Sequence, residues 1–162
     1  DTTIETCLPF LYKGCGGNKN NYKSPRNCTL LCTKMDKYGC NGGKNITGQC
    51  NKNGLSCPEG SICKYGAFNF GVCCDSETEA QFRKEWNPTC GEGKVLIRKH
   101  TSEGWRPFIG RKCSHEFCPK GSNCIEGKWL AHCCRSVEKL GKEKGNVSSR
   151  QVTMSPMIMN TL

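Results

Sequence analysis

The chain has 162 residues, 16 of them cysteine, with 35% hydrophobic residues and a formal net charge of +10. No apolar run approaches the ~20 residues of a spanning helix, so no membrane span is expected. So many cysteines in short segments form a disulfide framework, which persists only in oxidising compartments; a secreted, extracellular protein is expected, and nucleic acid is not an expected partner.

The cysteines fall into three groups: Cys7, Cys15, Cys28, Cys32; then Cys40, Cys50, Cys57, Cys63, Cys73, Cys74; then Cys90, Cys113, Cys118, Cys124, Cys133, Cys134. Zinc is the rival explanation, but its usual Cys-x2-4-Cys pairs are almost missing and His100, His115 and His132 form no His-x3-5-His pair. Disulfides are expected, and neither a metal nor a cofactor. Adjacent Cα atoms lie ~3.8 Å apart, below the usual lower limit of ~4.4 Å for a disulfide. Each doublet therefore sends its two bonds in different directions. Modules of fewer than about 50 residues rarely hold by core burial alone, and a bridge closing a loop of ~20 residues contributes about 3 kcal/mol. Basic residues cluster at 98–100, 106–112 and 139–144. These clusters suit a solvated surface, or a footprint for acidic glycans.

In the first group, Leu8 to Tyr12 is an apolar strand candidate and Gly16-Gly17-Asn18 has turn chemistry. Ser24 suits a helix cap and Pro25 the first helical position, so a short helix is expected over 25–32. Cys28 and Cys32 then share one helical face. The run Phe10, Gly14, Cys15, Tyr22, Cys28, with Asn20 and Cys32, resembles the second half of a Kunitz-type (pancreatic trypsin inhibitor) domain. The resemblance implies a partial α+β fold, hairpin plus C-terminal helix, over residues 1–34. It implies a structural bridge Cys7–Cys28, a buried amide at Asn20, and Phe10 and Tyr22 in the core. The family's first two cysteines would lie upstream of Asp1 and would bond Cys15 and Cys32. The primary protease-binding loop would lie there too. What remains of the inhibitory surface is a secondary loop, Leu11, Lys13, Gly14, Cys15 and Gly16. Lys13 stands where the family commonly has Gly.

Residues 39–75 and 89–135 repeat one plan, Cys-Pro-x-Gly-Ser-x-Cys-x8-9-Cys-Cys with two cysteines before it. Six cysteines per copy close three bridges internally, with connectivity left open, and the Pro and Gly set a tight turn. Phe68, Phe70 and Val72, and Ile125 and Trp129, suggest a short hairpin strand before each doublet. The pattern is similar to lustrin-type cysteine-rich repeats of invertebrate extracellular proteins. Whey-acidic-protein domains share the doublet but carry eight cysteines. Small disulfide-rich modules with loop-rich, short-hairpin repeats are the expected fold class.

Residues 76–88 form a polar linker in which Ser76 or Thr78 caps a short helix with Phe82 and Trp86 on its apolar stripe. Residues 136–162 lack cysteine and are expected to form a mobile tail. Sequons at Asn27, Asn45 and Asn146 are glycosylation candidates, Asn45 the best placed. No Gly-x-Ser-x-Gly, His-Glu-x-x-His or phosphate-binding loop occurs, so an enzyme is not expected. The chain starts at Asp1 without a signal peptide, so an upstream segment is expected. The leading functional expectation is a fragment of a secreted Kunitz-class inhibitor whose full-length parent binds a serine protease. The alternative is an extracellular matrix protein built from cysteine-rich repeats.

Overall fold

The computed structural model describes residues 1–33, 39–101, 104–137 and 158–160. It is a small disulfide-rich structure with two helices, several small sheets and, among the described residues, seven disulfides.

In the first segment, β1 (Leu8–Phe10) precedes α1 (Pro25–Cys32). The Ser24 hydroxyl accepts the Asn27 N–H at 3.2 Å, and Pro25 opens the helix, where its missing N–H costs nothing. Only Cys28 of this helix is buried, and it is bonded to Cys7 beside β1. Among the described residues of this segment no second strand pairs with β1. β1 pairs antiparallel with β11 (Ile158–Asn160), Leu8 facing Asn160. The backbone groups on one edge of β1 are thus satisfied from the far end of the chain. The rest of the expected tail, from 138, lies outside the described residues. Asn20, Phe10 and Tyr22 are half-buried rather than core, and Ile4, Leu8, Pro9 and Cys28 are the buried apolar residues here.

The next six cysteines organise a three-stranded antiparallel sheet, β2 (Gly48–Asn51), β3 (Ser61–Tyr65) and β4 (Phe70–Asp75), with β4 central. The bridges are Cys40–Cys74, Cys50–Cys63 and Cys57–Cys73. The last six give Cys90–Cys134, Cys113–Cys124 and Cys118–Cys133. Both copies join first to sixth, second to fourth and third to fifth, so each doublet sends its bonds to two different partners. The register agrees too, Cys63 facing Cys73 and Cys124 facing Cys133. The Pro-x-Gly-Ser turns also match: Ser61 N–H donates to Pro58 O at 3.1 Å, and Ser122 N–H to Pro119 O at 3.2 Å. Gly60 and Gly121 supply left-handed φ values of 77° and 79°.

The second copy carries more. Its sheet is built on β10 (Ala131–Ser136), which pairs with β5 (Lys94–Leu96), β8 (Ile109–Gly110) and β9 (Asn123–Glu126). A separate ribbon, β6 (Arg98–Thr101) with β7 (Gly104–Pro107), is inserted between Cys90 and Cys113. Phe68 departs from the expected strand: it sits at the β3–β4 tip with φ 55° and is 91% exposed.

The segment between the copies is α2 (Ser76–Trp86). Asp75, rather than Ser76 or Thr78, caps it, its carboxylate accepting the Thr78 N–H at 2.8 Å. A hydrogen bond from the Thr78 side chain, then this backbone bond, hold the Asp75 pKa below its usual value. Phe82 is buried, and Trp86 is exposed and stacks on it at 6.0 Å. The helix is no free linker, because two of its carboxylates are buried at their partners. Glu79 accepts the Asn41 N–H and Nδ2, both at 2.7 Å, and pairs with Lys64 at 3.3 Å. Glu85 accepts the N–H groups of Lys128, Trp129 and Leu130 at 2.9, 2.7 and 2.8 Å, and the Gln81 amide at 2.7 Å. One helix therefore grips the first copy through Glu79 and the second through Glu85.

Ile4, Leu8, Phe82, Ile109 and Leu130 form one apolar cluster, with Trp129 against it. Its members come from the first segment, the helix and the second copy. A second cluster, Phe108, Phe117, Ala131 and Cys133, lies inside the second copy.

Candidate functional site

The secondary loop follows β1 directly. Leu11 N–H donates to the carbonyl of His115 at 2.9 Å, which sets the start of the loop against the second cysteine repeat. Gly14 and Gly16 adopt φ 89° and 70° on either side of Cys15. A Cβ at either position would meet nothing within 4 Å, so the requirement for glycine is conformational rather than steric. The two left-handed residues turn the chain so that Cys15 stands exposed between them, as a thiol. The Tyr12 hydroxyl donates to Gly16 O at 3.3 Å across the loop, and the Tyr12 ring packs edge-on to Phe10 at 6.5 Å.

All five candidate contact residues, Leu11, Lys13, Gly14, Cys15 and Gly16, are exposed and lie together. Lys13 Nζ reaches Glu116 Oε1 at 2.7 Å. Glu116 itself has φ 49°, at the end of a 3-10 turn over Cys113–His115. Sequence reasoning assigned His115 and Glu116 no part in this loop. No local signal marks a contact between residues 103 positions apart. Burial, then the charges of Lys112 and Arg111, push the His115 pKa down, so this neighbour is neutral at pH 7. The part-buried pair of Arg111 Nε with Asp1 Oδ2 at 3.2 Å further ties the first segment to the second repeat.

Cys32 is also a thiol. It lies at the exposed end of α1, its sulfur 3.1 Å from the Tyr22 hydroxyl in a hydrogen bond that raises the Tyr22 pKa. The repeat cysteines are all in disulfides. Their closest sulfur clusters therefore offer no thiolate to a metal. Asn45 is exposed in the loop before β2, and Asn27 is exposed in the first turn of α1; Asn146 lies outside the described residues.

The profile of the Kunitz/Bovine pancreatic trypsin inhibitor domain matches residues 1–33. The BPTI/Kunitz inhibitor domain-containing protein C02F12.5 of Caenorhabditis elegans is 38% identical over 136 residues, which cover 83% of this chain and 76% of that protein. The chain belongs to the Kunitz inhibitor domain family. Major allergen Ani s 1 of Anisakis simplex is 35% identical over 80% of this chain and 70% of its own length. PI-stichotoxin-Hmg3d of Heteractis magnifica is 47% identical over 32 residues, 20% of this chain and 44% of the toxin. No solved structure matches. The alignments with the nematode proteins reach well beyond the 33 residues of the Kunitz match, so similarity to these relatives includes the cysteine-rich region. This is a protease-inhibitor family, generally non-enzymatic, and serine proteases are the partners it suggests. Its disulfide-rich members are typically secreted. Among the described residues no helix is long and apolar enough to cross a membrane.

Proposed function

We propose that the chain is the C-terminal part of a secreted Kunitz-class serine-protease inhibitor. Residues 1–34 are the second half of the Kunitz domain, and 39–75 and 89–135 are lustrin-type repeats joined through 76–88. The observation that carries the reading is the Leu11–Gly16 loop, which presents Cys15 as an exposed thiol between two left-handed glycines within the family match. In a complete Kunitz domain this cysteine anchors the primary binding loop, and Cys32 ties the helix end to the domain's first cysteine. Leu30 and Leu31 support the same reading. They are 65% and 73% exposed on α1, an apolar face suited to cover by a preceding half-domain.

In this reading Cys7–Cys28 holds the scaffold, and the secondary loop lies against the protease as a rim around the primary loop. Inhibition is then tight binding over a standard-size interface by a loop too rigid to complete turnover. The turn bearing Glu116 extends the rim, because it is bonded to Lys13. Asn45, exposed and five residues from the nearest disulfide cysteine, is the favoured glycosylation site over Asn27, which adjoins Cys28.

The test compares purified residues 1–162 with the longer chain that supplies the preceding half-domain, by residual trypsin and chymotrypsin activity. A central anchor side chain carries most of the energy of such interfaces. The longer chain should inhibit at nanomolar concentration and residues 1–162 no better than about micromolar. Failure of the longer chain on both enzymes and on related serine proteases would favour a structural matrix role for the repeats.

A further inference from the structure

The two cysteine repeats close the same three bridges, yet the second spends 22 residues between its first two cysteines where the first spends nine. The added residues are not needed for closure, since the first copy achieves the same connectivity without them. They build the β6–β7 ribbon, which has no counterpart in the first copy. Residues 94–112 carry six Lys and Arg against one Glu, half of the chain's net charge of +10. The corresponding stretch of the first copy, 41–49, carries a single Lys.

The ribbon orders these groups. Lys99 faces Arg106 directly across the ladder, and His100 faces Trp105. This pairing brings two cations together on one face of the ribbon. Lys99 is held with its ammonium 5.9 Å from the centre of the Phe108 ring, which fixes its stem over the second apolar cluster. Alternation along the strands puts Arg98, His100 and Trp105 on the other face. Trp105 is 65% exposed, with its indole edge-to-face against His100 at 5.3 Å. A large exposed aromatic beside cations suits a ligand with both an apolar ring face and acidic groups.

We propose that the β6–β7 ribbon is a binding site for sulfated polysaccharide. The polysaccharide wraps the edge of the ribbon, with sulfates at Lys99 and Arg106 on one face and at Arg98 on the other, where a sugar ring stacks on Trp105. The disulfide framework supports this choice among polyanions, because it requires an oxidising, extracellular setting where nucleic acid is not the available partner. The proposal does not depend on protease inhibition.

The experiment uses disulfide-intact residues 1–162 and heparin as the probe, with affinity measured over a salt series. The variant Arg98→Gln, Lys99→Gln, Arg106→Gln removes the charges and keeps the first two methylenes of each side chain. A control, Lys19→Gln, Lys23→Gln, Arg26→Gln, removes the same charge from exposed positions of the first segment. The ribbon variant should lose about a hundredfold in affinity near ~0.15 M salt, from roughly one kcal/mol for each basic contact with an anionic surface. Its dependence on salt should flatten as well. The control should lose less than about threefold, by screening beyond a Debye length, and Trp105→Ala should weaken binding at unchanged salt dependence. Equal loss in both triple variants would reduce the effect to net charge and overturn the proposal. So would absence of heparin binding by the unaltered chain. Phosphatidylserine vesicles form the second arm: ribbon-dependent binding to vesicles without ribbon-dependent binding to heparin would assign the ribbon to a membrane surface and overturn the proposal.

Discussion

The two cysteine repeats share one skeleton of bridges and are stabilised differently. In the first, the buried apolar residues are cysteines: Cys40, Cys50, Cys73 and Cys74. In the second, Phe108, Ile109, Phe117, Leu130 and Ala131 are buried beside the cysteines. The difference is clearest at one position. The residue before the Cys-Pro turn is exposed Ser56 in the first copy and fully buried Phe117 in the second. A three-bridge framework thus suffices as the core of a ~35-residue unit, and adding an apolar core turns the same framework into a platform. Onto that platform dock the first segment, through Ile4 and Leu8, and the helix, through Phe82 and Glu85.

Phe117→Ser, which gives the second copy the first copy's residue, should have the largest effect. Removing a fully buried Phe side chain costs about 3–5 kcal/mol, read as a lower unfolding midpoint in denaturant. A loss below about 1 kcal/mol would mean that the bridges alone hold the second copy as well. Removing equivalent bridges sharpens the contrast. Cys50–Cys63 and Cys113–Cys124 span 13 and 11 residues, so chain entropy predicts nearly equal costs of about 3 kcal/mol. With the loss equal, what survives depends on the core. Paired Cys→Ala variants should abolish amide protection in β2–β4 for the first bridge, and leave β10 protected for the second.

Glu85 tests the helix joint. Burial acts to raise its pKa, but the Gln81 amide and the N–H groups of Trp129, Leu130 and Lys128 prevail and lower it. The folded pKa thus lies below the unfolded value, ~4.3 for an ordinary Glu. The stabilisation is complete above that value and is lost as pH falls through the lower folded pKa. Glu85→Gln should cost about 1–2 kcal/mol at neutral pH, and should flatten the fall in thermal midpoint of the unaltered protein below about pH 4. The smallest effect is expected at Glu116. Its pair with Lys13 is more than half exposed on both sides, so Glu116→Ala should change stability by less than about 1 kcal/mol.

The legible and illegible parts of this molecule divide along physical lines. Cysteine spacing, Pro-x-Gly-Ser turns and the Ser24-Pro25 helix start are local signals, and each acts within a few residues of where it is written. Division of the repeat cysteines into two closed sets of six was readable for that reason. Nothing local sets Glu79 and Glu85 apart from the other charges of the 76–88 segment, because their partners at Asn41 and 128–130 are distant in sequence. The pairing of β1 with Ile158–Asn160 and the bond of Leu11 to His115 are likewise long-range and carry no pattern. The same gap hid the neighbour of the candidate loop: nothing around Cys113–His115 indicates that this turn stands beside Lys13.

The most direct test of the inhibitor reading is a hydrogen-exchange footprint of the longer chain, with its preceding half-domain, bound to an inhibited serine protease. Protection should appear in the preceding half-domain and at residues 11–16, with weaker protection at 113–116. Protection confined to the cysteine repeats, or none at 11–16, would contradict the account.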